Sequence, residues 1–193
     1  MAERSKGSRA EIVRWGERLF ERRLVSGWGG NLSCRYGRSR YLITGQHAAL
    51  GFLGARDVVE IDARGKAVNP KQRPSSETPL HLAVYAATDA RAVVHVHPAE
   101  IIAYCRGRDE FVPLSFEEEY SLGRVPVIPH DGPTVADPAP VAELLCHHPV
   151  VILRDHGTVA RGGDLREAFL ITDLLAEAVH CRLVMPDEPK SPA

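Results

Sequence analysis

The sequence predicts an α/β fold in which a central, mostly antiparallel sheet is flanked by helices. Amphipathic helical runs stand near both ends of the chain and in its middle, and the short valine- and isoleucine-rich runs between them include pairs joined by hairpin-type turns, which favours antiparallel pairing over a doubly wound parallel sheet. The chain has 193 residues, of which 44% are apolar and 25% charged, a balance that suits one packed core. A single domain spanning residues 1–193 is therefore expected, with a loose, Pro-rich tail from about residue 186.

The elements follow in order. "SRAEIVRWGERLFERRLVSG" reads as an amphipathic helix: Ser8 and Glu11 fit a capping box, Ile12, Val13, Trp15, Leu19, Phe20 and Leu24 form its apolar stripe, and Gly27 lies past its end. "GWGGNLSCRYG" is a turn leading into a strand, "RYLIT" and "DVVEID" are strands, and "ARGK" turns the chain toward "AVN". "SETPLHLAVYAAT" is helical, with Pro79 in its first turn, and is followed by the strand "AVVHVH" and the short helix "PAEIIAYCRG". "VPVIPH" and "VVILRDHG" are apolar enough for interior strands, whereas the prolines of "DGPTVADPAP" make it a loop. "DLREAFLITDLLAEAVHCRLV" is a long amphipathic helix with Asp164 and Glu167 at cap spacing.

With 24 basic and 25 acidic residues, the overall charge recommends neither nucleic acid nor an anionic membrane as a partner. No signal-peptide core and no membrane-length apolar segment is visible, so a cytoplasmic location is expected. The four cysteines, Cys34, Cys105, Cys146 and Cys181, are scattered without a Cys-x-x-Cys pair, which fits reduced, buried thiols better than a disulfide framework.

The chemistry concentrates in "AVVHVHPAE". Along a strand, residues two apart point the same way, so His95 and His97 can converge on one small object. Two imidazoles on one face suggest a metal ion, although hydrogen-bonded histidines would alternate in the same way. His156 follows an apolar strand and precedes a glycine, where a rigid strand end can aim a side chain into a cleft. Three imidazoles with no fourth ligand at short spacing favour an open Lewis-acid site over a closed structural one. His147 and His148 read as surface loop and His180 as a late helix residue, while His47, His81 and His130 have no assigned place.

"RPSSETPLH" sets Ser75, Ser76 and Glu77 at a predicted helix start, where free N–H groups and the helix dipole favour an anion. An N-cap serine with a first-turn glutamate accounts for the same residues. "GGNLS" and "ITG" are equally double-edged: small residues, hydroxyls and exposed amides serve a phosphate or simply a turn.

Taken in order, "GGNLS", "ITG", "PSSETPLH", "HVHP" and "LRDHG" resemble the class II aldolase/adducin family over most of the chain. The resemblance implies a three-layer α/β/α fold, a fourfold-symmetric homotetramer and a Zn²⁺ ion, with other divalent transition metals as substitutes. Carried over residue by residue, it makes His95, His97 and His156 metal ligands and Glu77 the acid/base carboxylate. It makes Gly30, Asn31, Thr44, Gly45, Ser75 and Ser76 the holders of a substrate phosphate. The implied activity is that of a zinc-dependent aldehyde-lyase. Such an enzyme cleaves or forms a carbon–carbon bond in a small ketose phosphate through an enediolate of dihydroxyacetone phosphate, with Glu77 moving the proton.

The family also contains decarboxylases and dehydratases of phosphorylated sugars or oxo acids that share these motifs, and non-catalytic adducin-like assembly modules. The resemblance departs at the tyrosine that fuculose-phosphate aldolases place between the second and third metal histidines. Glu117 aligns there, with Tyr120 nearby, and no counterpart of the extension that bears a second tyrosine is expected after the last helix. Trp28 stands where many relatives have Thr or Ser.

Overall fold

A computed structural model describes residues 8–185; the tail expected from residue 186 lies outside them. Helix α1 spans Arg9–Glu21 and starts with the expected capping box, Ser8 Oγ accepting from the Glu11 amide while the Glu11 side chain accepts from the Ser8 amide. It stops before Leu24, because Arg23 enters the left-handed region (φ 59°) and the Arg23 and Leu24 amides close back onto the Phe20 and Leu19 carbonyls. Leu24 still reaches the core, as the apolar stripe requires, but from outside the helix.

Eight strands form one sheet in the order β3-β2-β1-β4-β8-β7-β6-β5. The predicted segments become β1 (Asn31–Arg35), β2 (Arg40–Thr44), β3 (Val58–Asp62), β4 (Ala92–Val96), β6 (Val125–Ile128) and β7 (Val150–Leu153). Added to them are β5 (Glu110–Phe111) and β8 (Gly157–Gly162), the second of which continues the β7 hairpin. Among the described residues β6 and β7 are the one parallel pair of neighbours, and the other pairings are antiparallel.

Helices cover both faces. Helices α1, α3 (Ala99–Cys105) and α6 (Leu165–Val184) pack over one, where Leu32, Val94, Val96 and Ile152 are buried. On the other, α2 (Thr78–Ala87) and α5 (Ala139–Leu144) cover Ile43, Val59, Val93 and Val151. Adjacent residues such as Val93 and Val94 thus serve opposite cores, and every residue of β4 is buried, as a strand covered on both sides demands. The three-layer α/β/α architecture with a mostly antiparallel sheet is the one expected.

Two short helices were not legible. Helix α4 (Phe116–Ser121) begins at a Ser115 cap, and α5 starts inside the proline-rich stretch with Pro140 in its first turn, where a missing N–H costs nothing. All four cysteines are free, but Cys146 and Cys181 are exposed, contrary to the buried thiols expected. No described helix is long and apolar enough to cross a membrane.

Candidate active site

The three predicted histidines meet. His95 projects from β4, His97 from just beyond its end, and His156 from the turn of the β7–β8 hairpin, which Asp155 closes with φ 59°. His95 Nε2 lies 3.0 Å from His97 Nε2 and 3.1 Å from His156 Nε2, and one ligand atom from each residue falls within 4.8 Å of the others. Gly157 makes this approach possible: a Cβ there would stand 2.2 Å from the Val96 carbonyl oxygen and 2.8 Å from His97 Cδ2.

The donor set fits a zinc ion. His95 Nδ1 donates to the Thr158 carbonyl at 2.9 Å, which leaves the Nε2 lone pair bare and aimed at the other two rings. Tetrahedral Zn–N bonds of roughly 2.0–2.1 Å would set nitrogens about 3.3–3.4 Å apart, close to the two spacings that His95 makes. Burial holds His95 well below its ordinary pKa and lowers that of His97, in each case with help from neighbouring histidines. His156 is lowered to about 4, by burial first and then by His97 and His130. All three imidazoles are therefore neutral at pH 7, the state a metal requires.

Glu77 sits just before α2, 4% exposed, in a cleft of about 150 Å³ that the three histidines also line. Its Oε1 accepts from the Val135 amide at 3.0 Å. Burial raises its pKa, opposed by that hydrogen bond and by His130. A carboxyl group whose pKa burial raises, beside three histidines that could hold a metal ion, is equipped to take and return a proton.

The same cleft is lined by Gly30, Asn31, Gly45, Ser75 and Ser76. Several backbone donors there are already committed. The Gly45 amide donates to the Asp57 carbonyl and the Ser75 amide to the Thr44 carbonyl, so an anion must be met by side chains and the remaining amides. Ser75 Oγ accepts from the Glu77 amide at 3.2 Å, which frees its own proton for a ligand. Thr44 differs from expectation: it is buried, it is absent from the cleft wall, and its Oγ1 accepts from the Leu32 amide at 3.2 Å. Its hydroxyl ties β1 to β2.

Gln46, His47, Ala48 and Pro133 also line the cleft, as does Trp28, the residue that departs from the family pattern. Gln46–Ala48 directly follow the "ITG" turn, a signal that was available, but nothing in "DGPTVADPAP" announces that it folds over Glu77. His130 stands with its ring 4.4 Å from that of His156. His81 is fully buried beneath Asn31; His147 is exposed in a turn, as expected, His148 beside it is half-buried, and His180 lies exposed on α6. Glu117 lies on a separate open groove along α6, and Tyr120 is 93% exposed, so neither occupies the cleft.

Residues 10–183 match the profile of the class II aldolase and adducin N-terminal domain. The chain is 30% identical to the L-fuculose phosphate aldolase of Methanococcus maripaludis over 181 residues, which covers 91% of this chain and 96% of that enzyme. It is also 30% identical to the 3-oxo-tetronate 4-phosphate decarboxylase of Cupriavidus necator, over 94% of this chain and 86% of that one. The crystal structure of L-fuculose-1-phosphate aldolase from Thermus thermophilus superposes with a TM-score of 0.82 at 31% identity, covering 90% and 91% of the two chains.

Proposed function

Since the chain belongs to the class II aldolase/adducin family, we propose that it is a zinc-dependent aldehyde-lyase acting on a small ketose phosphate through the enediolate of dihydroxyacetone phosphate. The observation that carries this reading is the convergence, in one cleft, of three neutral imidazoles, a carboxyl group of raised pKa, and a polar wall built from Asn31, Ser75 and Ser76.

His95, His97 and His156 would hold the ion, and Thr158 fixes the His95 ring. When bound, zinc supplies a Lewis acid that draws negative charge off a substrate carbonyl. Asn31, Ser75 and Ser76 position the phosphate, and Glu77, anchored by the Val135 amide, moves the proton at the carbon beside the carbonyl. The loop carrying Val135 sets the direction of the Glu77 carboxyl.

The test is hydrogen–deuterium exchange at the hydroxymethyl carbon of dihydroxyacetone phosphate in D₂O, followed by NMR, with zinc-loaded and chelated protein. Zinc-dependent exchange supports the reading, and its absence from protein with bound zinc overturns it. The similarity to the Cupriavidus necator decarboxylase favours a second reading, in which the same carbanion forms by loss of CO₂ from a phosphorylated 3-oxo acid. Release of CO₂ from 3-oxo-tetronate 4-phosphate without exchange would select it.

A further inference from the structure

Beneath the cleft lies a buried chain of hydrogen bonds that joins four residues of no assigned common role. The strand period puts Asn31 and Ser33 of β1 on the sheet face covered by α2, and the four-residue spacing puts His81 and Tyr85 on one side of that helix. The Tyr85 hydroxyl is 2.7 Å from Ser33 Oγ, Ser33 Oγ is 2.6 Å from His81 Nδ1, and His81 Nε2 is 2.5 Å from Asn31 Oδ1. All four side chains are buried, and His81 entirely so.

Proton counting gives the chain a direction. Among the described residues Ser33 is the hydrogen-bond partner of the Tyr85 hydroxyl, so the one Tyr85 proton goes to Ser33 Oγ. Ser33 then has its own proton to give, and it goes to His81 Nδ1, which must be bare. A neutral imidazole carries its single proton on the other nitrogen, so Nε2–H donates to Asn31 Oδ1. The reverse direction would leave a buried tyrosine O–H without an acceptor. Burial keeps His81 neutral, with its pKa lowered to about 3, so the count holds across the physiological range.

The geometry points to Tyr85, Ser33 and His81 as a relay that fixes the Asn31 amide, with its oxygen held inward and its NH₂ presented to the cleft as a donor for an anionic group. His81 is a positioning residue, acting on the ligand through Asn31. The donor matters because the neighbouring Gly45 and Ser75 amides are spent on the fold. The inference deepens the phosphate reading above, and rests on it only for the identity of the anion.

The test begins with ¹⁵N NMR of histidine-labelled, zinc-loaded protein, which reads the tautomer of His81 directly. A proton on Nε2 is the expected result, and a proton on Nδ1 overturns the relay. The second arm measures inorganic phosphate affinity by ³¹P NMR in wild type, Ser33→Ala and Ser33→Thr. Loss of the Ser33 hydroxyl is expected to weaken phosphate about tenfold, with zinc affinity unchanged and with recovery in Ser33→Thr. Equal phosphate affinity in wild type and Ser33→Ala overturns the positioning role. Should Ser33→Ala fail to fold, the wild-type tautomer decides alone. Wild-type protein with the proton on Nε2 that binds no phosphate would leave the relay standing and overturn the phosphate reading instead.

Discussion

Asn31 and His95 face one another across the β1–β4 pair, so the residue proposed to meet the anion and a histidine proposed to hold the metal share one rung of the sheet. Opposed Cα atoms in an antiparallel pair are separated by about 4.5–5.5 Å, a spacing set by the backbone and insensitive to loop motion. On the proposed function, the distance between the two ends of the substrate would thus be written into the sheet itself.

Zinc should stabilise the protein in proportion to its occupancy. A free ion at a thousand times its Kd adds about 4 kcal/mol, which in a chain of this size raises Tm by roughly 10 °C. Calorimetry with and without chelator is expected to show this shift in wild type and none in His95→Ala or His156→Ala.

Glu77→Gln is expected to keep zinc and lose about 10²-fold or more of the proton exchange. It should also change the pH profile of metal-free protein. With its folded pKa raised, Glu77 binds more protons folded than unfolded, so wild-type stability falls as pH rises through the carboxylate range. Denaturant unfolding should find the variant more stable than wild type at pH 7, with the difference closing toward pH 4. A difference independent of pH would contradict the raised pKa.

Thr44 separates a fold role from a ligand role. Because its hydroxyl accepts from the buried Leu32 amide, Thr44→Val is expected to cost about 1–3 kcal/mol of stability while phosphate affinity stays within a factor of two. A large loss of phosphate binding at unchanged stability would return Thr44 to the anion wall.

Gly157→Ala pushes a methyl group into the Val96 carbonyl and the His97 ring. The hairpin must retreat, carrying His156 with it. Isothermal titration should show zinc affinity reduced by about tenfold or more, since a ligand set displaced from its geometry loses metal, even where circular dichroism reports the same fold.

His81 makes the protein acid-sensitive. Its pKa of about 3 in the folded state, against 6.5 ordinarily, means the unfolded chain binds the extra proton between those values. Stability is complete above about pH 6.5 and falls below it by up to ~1.4 kcal/mol per pH unit. Between pH 7 and pH 5, urea unfolding should therefore register about 2 kcal/mol more loss in wild type than in His81→Gln.

Much of this molecule was legible because its signals are local. Alternation exposed His95 and His97 as a pair, apolar runs located the strands, and small-residue turns marked segments that line the cleft. What stayed hidden depends on contacts made across the fold. Thr44 offers the same hydroxyl to a phosphate or to a neighbouring strand, and only the β1–β2 register decides which. His81 looked like any helix histidine until Ser33, forty-eight residues away, closed on it. The loop after β6 has no periodicity to betray that Val135 would hold Glu77. The end of α1 was misplaced because a Schellman turn can form at arginine, without the glycine that usually signals it.

The pairing of β4 with β8 has a kinetic side. It brings His95 and His156, 61 residues apart in sequence, into contact, and loop closure over such a span is slow compared with the joining of a local hairpin. Before that event the chain can offer an ion only the two histidines of one short segment. Afterwards it offers three. On the proposed metal site, the moment at which refolding protein captures zinc tightly would timestamp the assembly of the sheet's centre, and the metal would become a clock for a long-range step on which the cleft depends.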